Sequence, residues 1–250
     1  MKAVITTLLG VISAHSYLLQ RLHLSDTRLL PVLHNLTPGE STRSVMDYLT
    51  SEDNNYTPVC SISLRHASAM NALQESVKII QTENMNRGEC DRISVGISSA
   101  VSEMQVLDAI YAGASYVSTM YHCESLLKIA QTCGTPMLSG VSTLREACKA
   151  LEDGTNALKI FPSVRVPPKM LRSILDSLRY KYGSSFMELI PIIIAGGVKK
   201  EDISKYVSAG ATGFAIGYDC SDAQTLKSFP RRLRNMHEYI ERCCATESPN

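Results

Sequence analysis

The strongest constraint on the fold is an alternation of two textures that begins near Leu29 and runs to the C-terminus. Short β-rich apolar runs come first, each followed by a longer stretch with helical spacing. Eight runs read as strands: Leu29–His34, Val59–His66, Arg92–Ser98, Tyr116–Met120, Pro136–Gly140, Ala157–Pro162, Leu189–Gly197 and Gly213–Tyr218. Parallel strands need long crossovers, and most intervening segments are long enough to supply a helix. Eight βα units in 250 residues predict an α/β fold of the closed (β/α)8 TIM-barrel type. An open doubly wound sheet is the alternative, because periodicity does not report closure. Residues 1–28 read as an N-terminal extension or helix, and residues 29–250 as one barrel domain.

Local signals agree with this reading. Thr143 and Glu146 form a T-x-x-E capping box. Behind it Leu144, Ala147, Cys148 and Leu151 recur at the spacing of one apolar helix face. Gly113, Gly154 and Gly210 each stand at a helix end before the next strand, where a left-handed cap suits glycine. Ala112-Gly113-Ala114 recurs as Ala209-Gly210-Ala211, a weak internal repeat. Leu233, Met236, Ile240 and Cys243 form the apolar stripe of the last helix.

Several function classes are disfavoured by composition. The formal net charge is +1 and Trp is absent, so neither a broad basic surface nor a base-stacking platform is expected. No nucleic-acid or membrane partner is expected. No G-x-G-x-x-G loop and no cluster with metal-ligand spacing is present, so neither cofactor nor metal is expected. The eight cysteines form no C-x-x-C pair, and Cys60 and Cys148 read as small apolar residues within strand and helix patterns. A reducing, cytoplasmic setting follows. Met1–Ala14 is apolar but too short to span a bilayer; a targeting segment and an extra helix both fit it. The sequons at Asn35 and Asn55 matter only in a secretory context.

One residue is out of place in such a pattern. Lys159 lies within the sixth run, Ala157-Leu158-Lys159-Ile160-Phe161-Pro162, and shares a face with Ala157 and Phe161. Both faces of a barrel strand are normally buried. A buried lysine is costly, and desolvation lowers its pKa and frees the amine to attack a carbonyl. A lysine snorkelling to solvent at a strand end fits the burial argument equally well.

Lys159-Ile160-Phe161-Pro162 resembles the K-x-F-P signature of the 2-keto-3-deoxy-6-phosphogluconate and 4-hydroxy-2-oxoglutarate aldolases. Val95-Gly96-Ile97-Ser98-Ser99 is similar to that family's V-G-A-G-T. Pro136 to Thr143 is similar to its P-x-x-P-G-x-x-T, and Ala195-Gly196-Gly197-Val198 to its T-G-G-[VI]. The motifs keep family order from about Leu29 to Gly217. The resemblance implies a class I aldolase in which Lys159 forms an imine with a pyruvate unit. It implies a homotrimer and a small 2-keto acid substrate.

The departures are specific. Ser61 stands where the family has its proton-shuttling glutamate, and a serine alone is a poor general base. His34 stands where the family commonly has an arginine, and could supply a base. Arg65 and Ser99 are candidate substrate-binding residues, with Phe161, Gly196 and Gly197 beside them. Ala195 replaces a threonine. Tyr218 replaces a serine and is expected to crowd the pocket. Two readings therefore stand beside the active aldolase: a barrel that has lost catalysis and binds or supports, and a different imine or pyruvate-recognising activity.

Overall fold

The computed structural model describes residues 28–54, 59–88 and 92–246. The expected extension over residues 1–28 lies, but for Arg28, outside the described residues, as does Asn55 of the second sequon. Eight strands close into a parallel barrel in sequence order. They are β1 Leu29–His34, β2 Val59–Ser63, β3 Ser94–Ala100, β4 Val117–Thr119, β5 Met137–Val141, β6 Ala157–Ile160, β7 Ile192–Ala195 and β8 Gly213–Asp219. β8 pairs with β1 from Leu29–Phe214 to His34–Asp219, which settles closed barrel against open sheet. The crossovers are α1 Glu40–Thr50, α2 Ala69–Asn84, α3 Glu103–Tyr111, α4 Glu124–Thr132, α5 Leu144–Glu152, α6 Pro168–Tyr182, α7 Ile203–Ser208 and α8 Ala223–Ala245. A further helical turn, Ser184–Met187, precedes β7.

Several expected strands run too long. β2 stops at Ser63 rather than His66, and β7 starts at Ile192 rather than Leu189, whose side chain is exposed. Apolar texture continues past the last ladder hydrogen bond, so sequence overstates the ends. The three cap glycines have φ of 94°, 88° and 104°, in the left-handed region expected of them. The capping box on α5 is formed in both directions. Its apolar face is slightly rotated from expectation: Ala147, Ala150 and Leu151 are buried, while Leu144 in the first turn is exposed. On α8 the stripe holds, with Leu233, Ile240 and Cys243 buried and Met236 partly so.

Strand parity divides the apolar residues into two cores. The larger lies between the barrel wall and the helices. The smaller fills the barrel itself: Leu30, Val59, Tyr116, Leu138, Ala157, Ile193, Ala195 and Ala215. Tyr116 dominates the inner core and is wholly buried, its hydroxyl donating to the Cys60 carbonyl at 2.7 Å. It fits because β3 carries Gly96 opposite: a β-carbon there would stand 2.5 Å from the tyrosine ring. Cys60 points the other way, into the outer core, where burial pushes its thiol up to about 12, so it behaves as the apolar residue the sequence suggests.

Outside the barrel, a polar network ties the β4–α4 connection to α5. His122 Nε2 meets Asp153 Oδ2 at 2.8 Å, and His122 Nδ1 meets Ser139 Oγ at 3.3 Å. Thr155 Oγ1 donates to Ser139 Oγ at 2.8 Å. Ser139 is wholly buried, which bars it from attacking a substrate and makes the set a structural clamp. His122→Phe is expected to lower stability by about 1 kcal/mol, since it removes two hydrogen bonds while Lys149 still pairs with Asp153 and Thr155 still donates to Ser139. Urea denaturation would measure it.

Candidate active site

The inward positions of the upper strands converge on Lys159. A cavity of about 580 Å³ opens at the C-terminal end of the barrel, above the inner core. Its walls include His34, Ser61, Arg65, Ser98, Ser118 and Lys159. Ser99, Phe161, Gly196 and Gly197 also line it. This is the end of the barrel where such enzymes place their chemistry.

Lys159 is 5% exposed, so the snorkelling alternative does not describe it. Its backbone is fixed on both sides, paired with Gly140 of β5 and Ile193 of β7. Its Nζ lies 5.2 Å from the centre of the Phe161 ring. No carboxylate lines the cavity among the described residues. Burial is the main reason the ammonium is disfavoured, and the Arg65 guanidinium adds to it, bringing the amine to about 7. A large fraction of Lys159 is therefore an unprotonated nucleophile at neutral pH.

His34 ends β1 on the same cavity wall. Burial lowers its imidazole, Arg65 lowers it further, and Asp219 opposes both. The ring is accordingly a neutral proton acceptor near pH 7. Arg65 lies beyond the end of β2 and still reaches the cavity, with Nη2 3.6 Å from Met120 Sδ. Ser61 is wholly buried, and its hydroxyl makes no hydrogen bond of good geometry. Ser99 holds a φ of 67°, unusual for a side chain other than glycine, at the rim.

Gly196 is held tightly. Its carbonyl accepts from the Ser163 amide at 3.1 Å and from the Ser163 hydroxyl at 2.8 Å. A β-carbon on Gly196 would stand 2.6 Å from the Phe161 ring, so the aromatic wall beside Lys159 depends on the glycine opposite it. Tyr206 Oη in turn donates to the Ser163 and Val166 carbonyls, which fixes the β6 exit against α7.

Tyr218 corrects an expectation. It does not enter the cavity. Gly213, Ala215 and Gly217 are the inward residues of β8, so Tyr218 points outward and packs edge-on against Phe229 of α8, centroids 5.3 Å apart. A single-residue step reverses the face of a strand.

A larger cleft, about 750 Å³, lies outside the barrel between α6 and α7 and shares only Val164 and Gly197 with the Lys159 cavity. Its cations, Lys169, Arg172, Lys199 and Lys205, are all exposed, and it holds no buried base. The buried lysine and the neutral histidine both lie on the smaller cavity.

The model of the KDPG and KHG aldolase family matches residues 27–230, most of the chain and all eight strands. The chain belongs to this aldolase family. A 2-dehydro-3-deoxy-6-phosphogalactonate aldolase of Escherichia coli (strain K12) is 27% identical over 129 residues. That match covers 52% of this chain and 59% of the relative, so the chain spans little more than half of the relative's length. Among solved structures, a native KDPGal structure superposes with a TM-score of 0.69 at 22% identity, covering 87% of this chain and 96% of that one. The 4-hydroxy-2-oxoglutarate/2-dehydro-3-deoxyphosphogluconate aldolase from TTHB1 gives 0.66 at 24% identity, covering 88% and 98%. A KDPG aldolase from Legionella pneumophila, with pyruvate captured as a covalent carbinolamine, gives 0.60 at 18% identity, covering 90% and 96%.

Where the resemblance leads us to expect a glutamate, the cavity presents the hydroxyls of Ser61, Ser98 and Ser118. Sequence reasoning found Ser61 but missed Ser98 and Ser118, which line the same cavity. The signal was available: both occupy inward positions by strand parity, Ser98 two residues after Gly96 and Ser118 two after Tyr116. The Ser61 and Ser98 hydroxyls are both buried, and neither makes a hydrogen bond of good geometry among the described residues.

Proposed function

We propose that the protein is a class I aldolase that cleaves or forms a 2-keto-3-deoxy or 4-hydroxy-2-keto acid through an imine on Lys159. The observation that carries this is a fully enclosed lysine, lowered to about 7, at the C-terminal end of a barrel of the aldolase family. The free amine attacks the keto carbon, the carbonyl oxygen takes a proton, and water leaves to give the iminium. The iminium draws electrons from the C3–C4 bond, the C4 hydroxyl gives up its proton, and an aldehyde departs. The enamine that remains takes a proton at C3, and water then releases pyruvate and the lysine. The carbinolamine in the Legionella relative is the same first intermediate in a protein of the same fold.

His34 acts as the acceptor of the C4 hydroxyl proton, as the titratable group of the cavity that is a neutral base near pH 7. Ser61 and Ser98 hold water for the steps at the carbinolamine. Arg65 and Ser99 bind the substrate carboxylate, and the Gly196–Gly197 backbone lies along its far end. A phosphate there is not required by this reading. Assembly as a homotrimer completes the proposal by resemblance, and the cysteine pattern favours a reducing, cytoplasmic setting. Among the described residues no helix is long and apolar enough to cross a membrane.

The lack of a carboxylate in the cavity favours one competing reading, a barrel that binds a keto acid without turning it over. Borohydride trapping with pyruvate, read by intact mass and peptide mapping, decides between them. An adduct on Lys159 is expected, with a trapping rate that rises through a midpoint near pH 7 as the amine loses its proton. No adduct on folded protein across the pH series leaves the binding reading.

A further inference from the structure

A third cavity, of about 300 Å³, lies on the outer side of β8, under α8. Among the described residues it is lined by Lys200, Ile216, Gly217, Tyr218, Arg232, Asn235 and Met236, two cations and no carboxylate. Tyr218 is 3% exposed, and its hydroxyl finds no hydrogen-bond partner among the described residues. The buried Nε of Arg232 is also without one. Two unsatisfied donors at one buried place are uncommon in folded proteins and are expected to meet a ligand.

The donors are held in position. Arg232 Nη2 donates to the carbonyls of Asp219 at 3.1 Å and Thr225 at 3.2 Å, which leaves Nε uncommitted. The guanidinium carbon sits 5.6 Å from the Tyr218 ring centre. The Tyr218 ring is fixed by Phe229, and burial raises its phenol well above the usual value, so it stays a donor at any physiological pH. Lys200 Nζ lies over the Tyr239 ring, 4.5 Å from its centre. Asn235 adds an amide. All the side chains that can bind here either carry positive charge or can donate.

We infer that this cavity is a binding site for a tetrahedral oxyanion, inorganic phosphate or a phosphate monoester, built by Tyr218, Arg232, Lys200 and Asn235. It is distinct from the Gly196–Gly197 backbone, which lies on the other cavity. Arg232 takes the anion through Nε, Tyr218 and Asn235 each donate a hydrogen bond, and Lys200 supplies charge from the rim. Ile216 and Gly217 line both cavities, and the anion is either free or the phosphorylated end of a substrate held at Lys159, two sources that the test separates.

Calorimetric titration of inorganic phosphate into the full chain tests this. Tyr218→Phe keeps the ring against Phe229 and removes only the hydroxyl, and is expected to weaken phosphate about tenfold. Asn235→Leu is expected to weaken it as well, and both variants should melt like the wild type when phosphate is absent. Lys159→Ala should bind phosphate unchanged, which keeps the result independent of the imine reading. A further arm compares condensation of pyruvate with phosphorylated and unphosphorylated aldehydes. A Tyr218→Phe rise in KM confined to the phosphorylated aldehyde identifies the substrate's own tail; equal KM values, with phosphate binding still weakened, identify a free anion. Failure of phosphate to bind, or equal binding by wild type, Tyr218→Phe and Asn235→Leu, overturns the site.

Discussion

Lys159→Met is expected to lose the pyruvate adduct and to lower carbon–carbon bond cleavage by about 10,000-fold or more, since no other amine in the cavity can replace a covalent nucleophile. The same variant is expected to be more stable than the wild type. The folded lysine titrates at about 7 against an ordinary value of 10.5, so between those limits the unfolded chain carries the extra proton. Stability then rises with pH through that window, and the cost of burying the ammonium is present in full below pH 7. Methionine removes the cost. Its advantage should be on the order of a few kcal/mol at pH 6 and should fade toward pH 10.5. Paired denaturation and trapping curves across pH check both halves. A variant that loses the adduct without gaining stability at low pH would show that Lys159 is reactive but not desolvated.

Gly140→Ala should give the largest loss of stability. The β-carbon would stand 2.3 Å from both the carbonyl carbon and oxygen of Met120 and 2.7 Å from the Tyr121 amide. These are backbone atoms, and no side-chain rotation relieves them. Either β4 and β5 separate or the Met120–Tyr121 loop moves. A cost of about 3 kcal/mol, at the upper end for overpacking, is expected. Gly140 also pairs with Lys159 across β5 and β6, so the strain falls on the lysine's neighbour. Calorimetry should show the lowered transition, and trapping on the remaining folded protein should be slower. Thr or Ser in place of Ala should be worse.

The fold was legible because its signals are local and repeated. Each strand-to-helix alternation, each cap glycine and the Thr143 box can be read within a dozen residues. Lys159 was legible for the opposite reason: a charge within an apolar run is a local contradiction that only burial with a purpose resolves. Tyr218 was misjudged although its direction was readable, because matching it to a motif position displaced the count of alternate residues along β8. Arg65 was placed on a strand that stops two residues earlier, yet it reaches the cavity from the loop. The Tyr218–Arg232 cavity and the His122–Asp153–Ser139 clamp could not be read in advance. Their members lie up to 36 residues apart in the chain, and only closure of the barrel and docking of the helices bring them together.

Tyr116, wedged below Lys159 by the space that Gly96 leaves, is the largest member of an inner core that makes the barrel a blind shaft. Traffic has one doorway. On the proposed imine reaction, the keto acid must in the synthetic direction descend first and become tethered at the bottom before the aldehyde can settle above it. In the cleavage direction the aldehyde must clear the shaft before pyruvate can follow. A plug dominated by one aromatic ring thus imposes a queue, and the steady-state kinetics should obey a compulsory order with pyruvate as the first reactant in and the last product out.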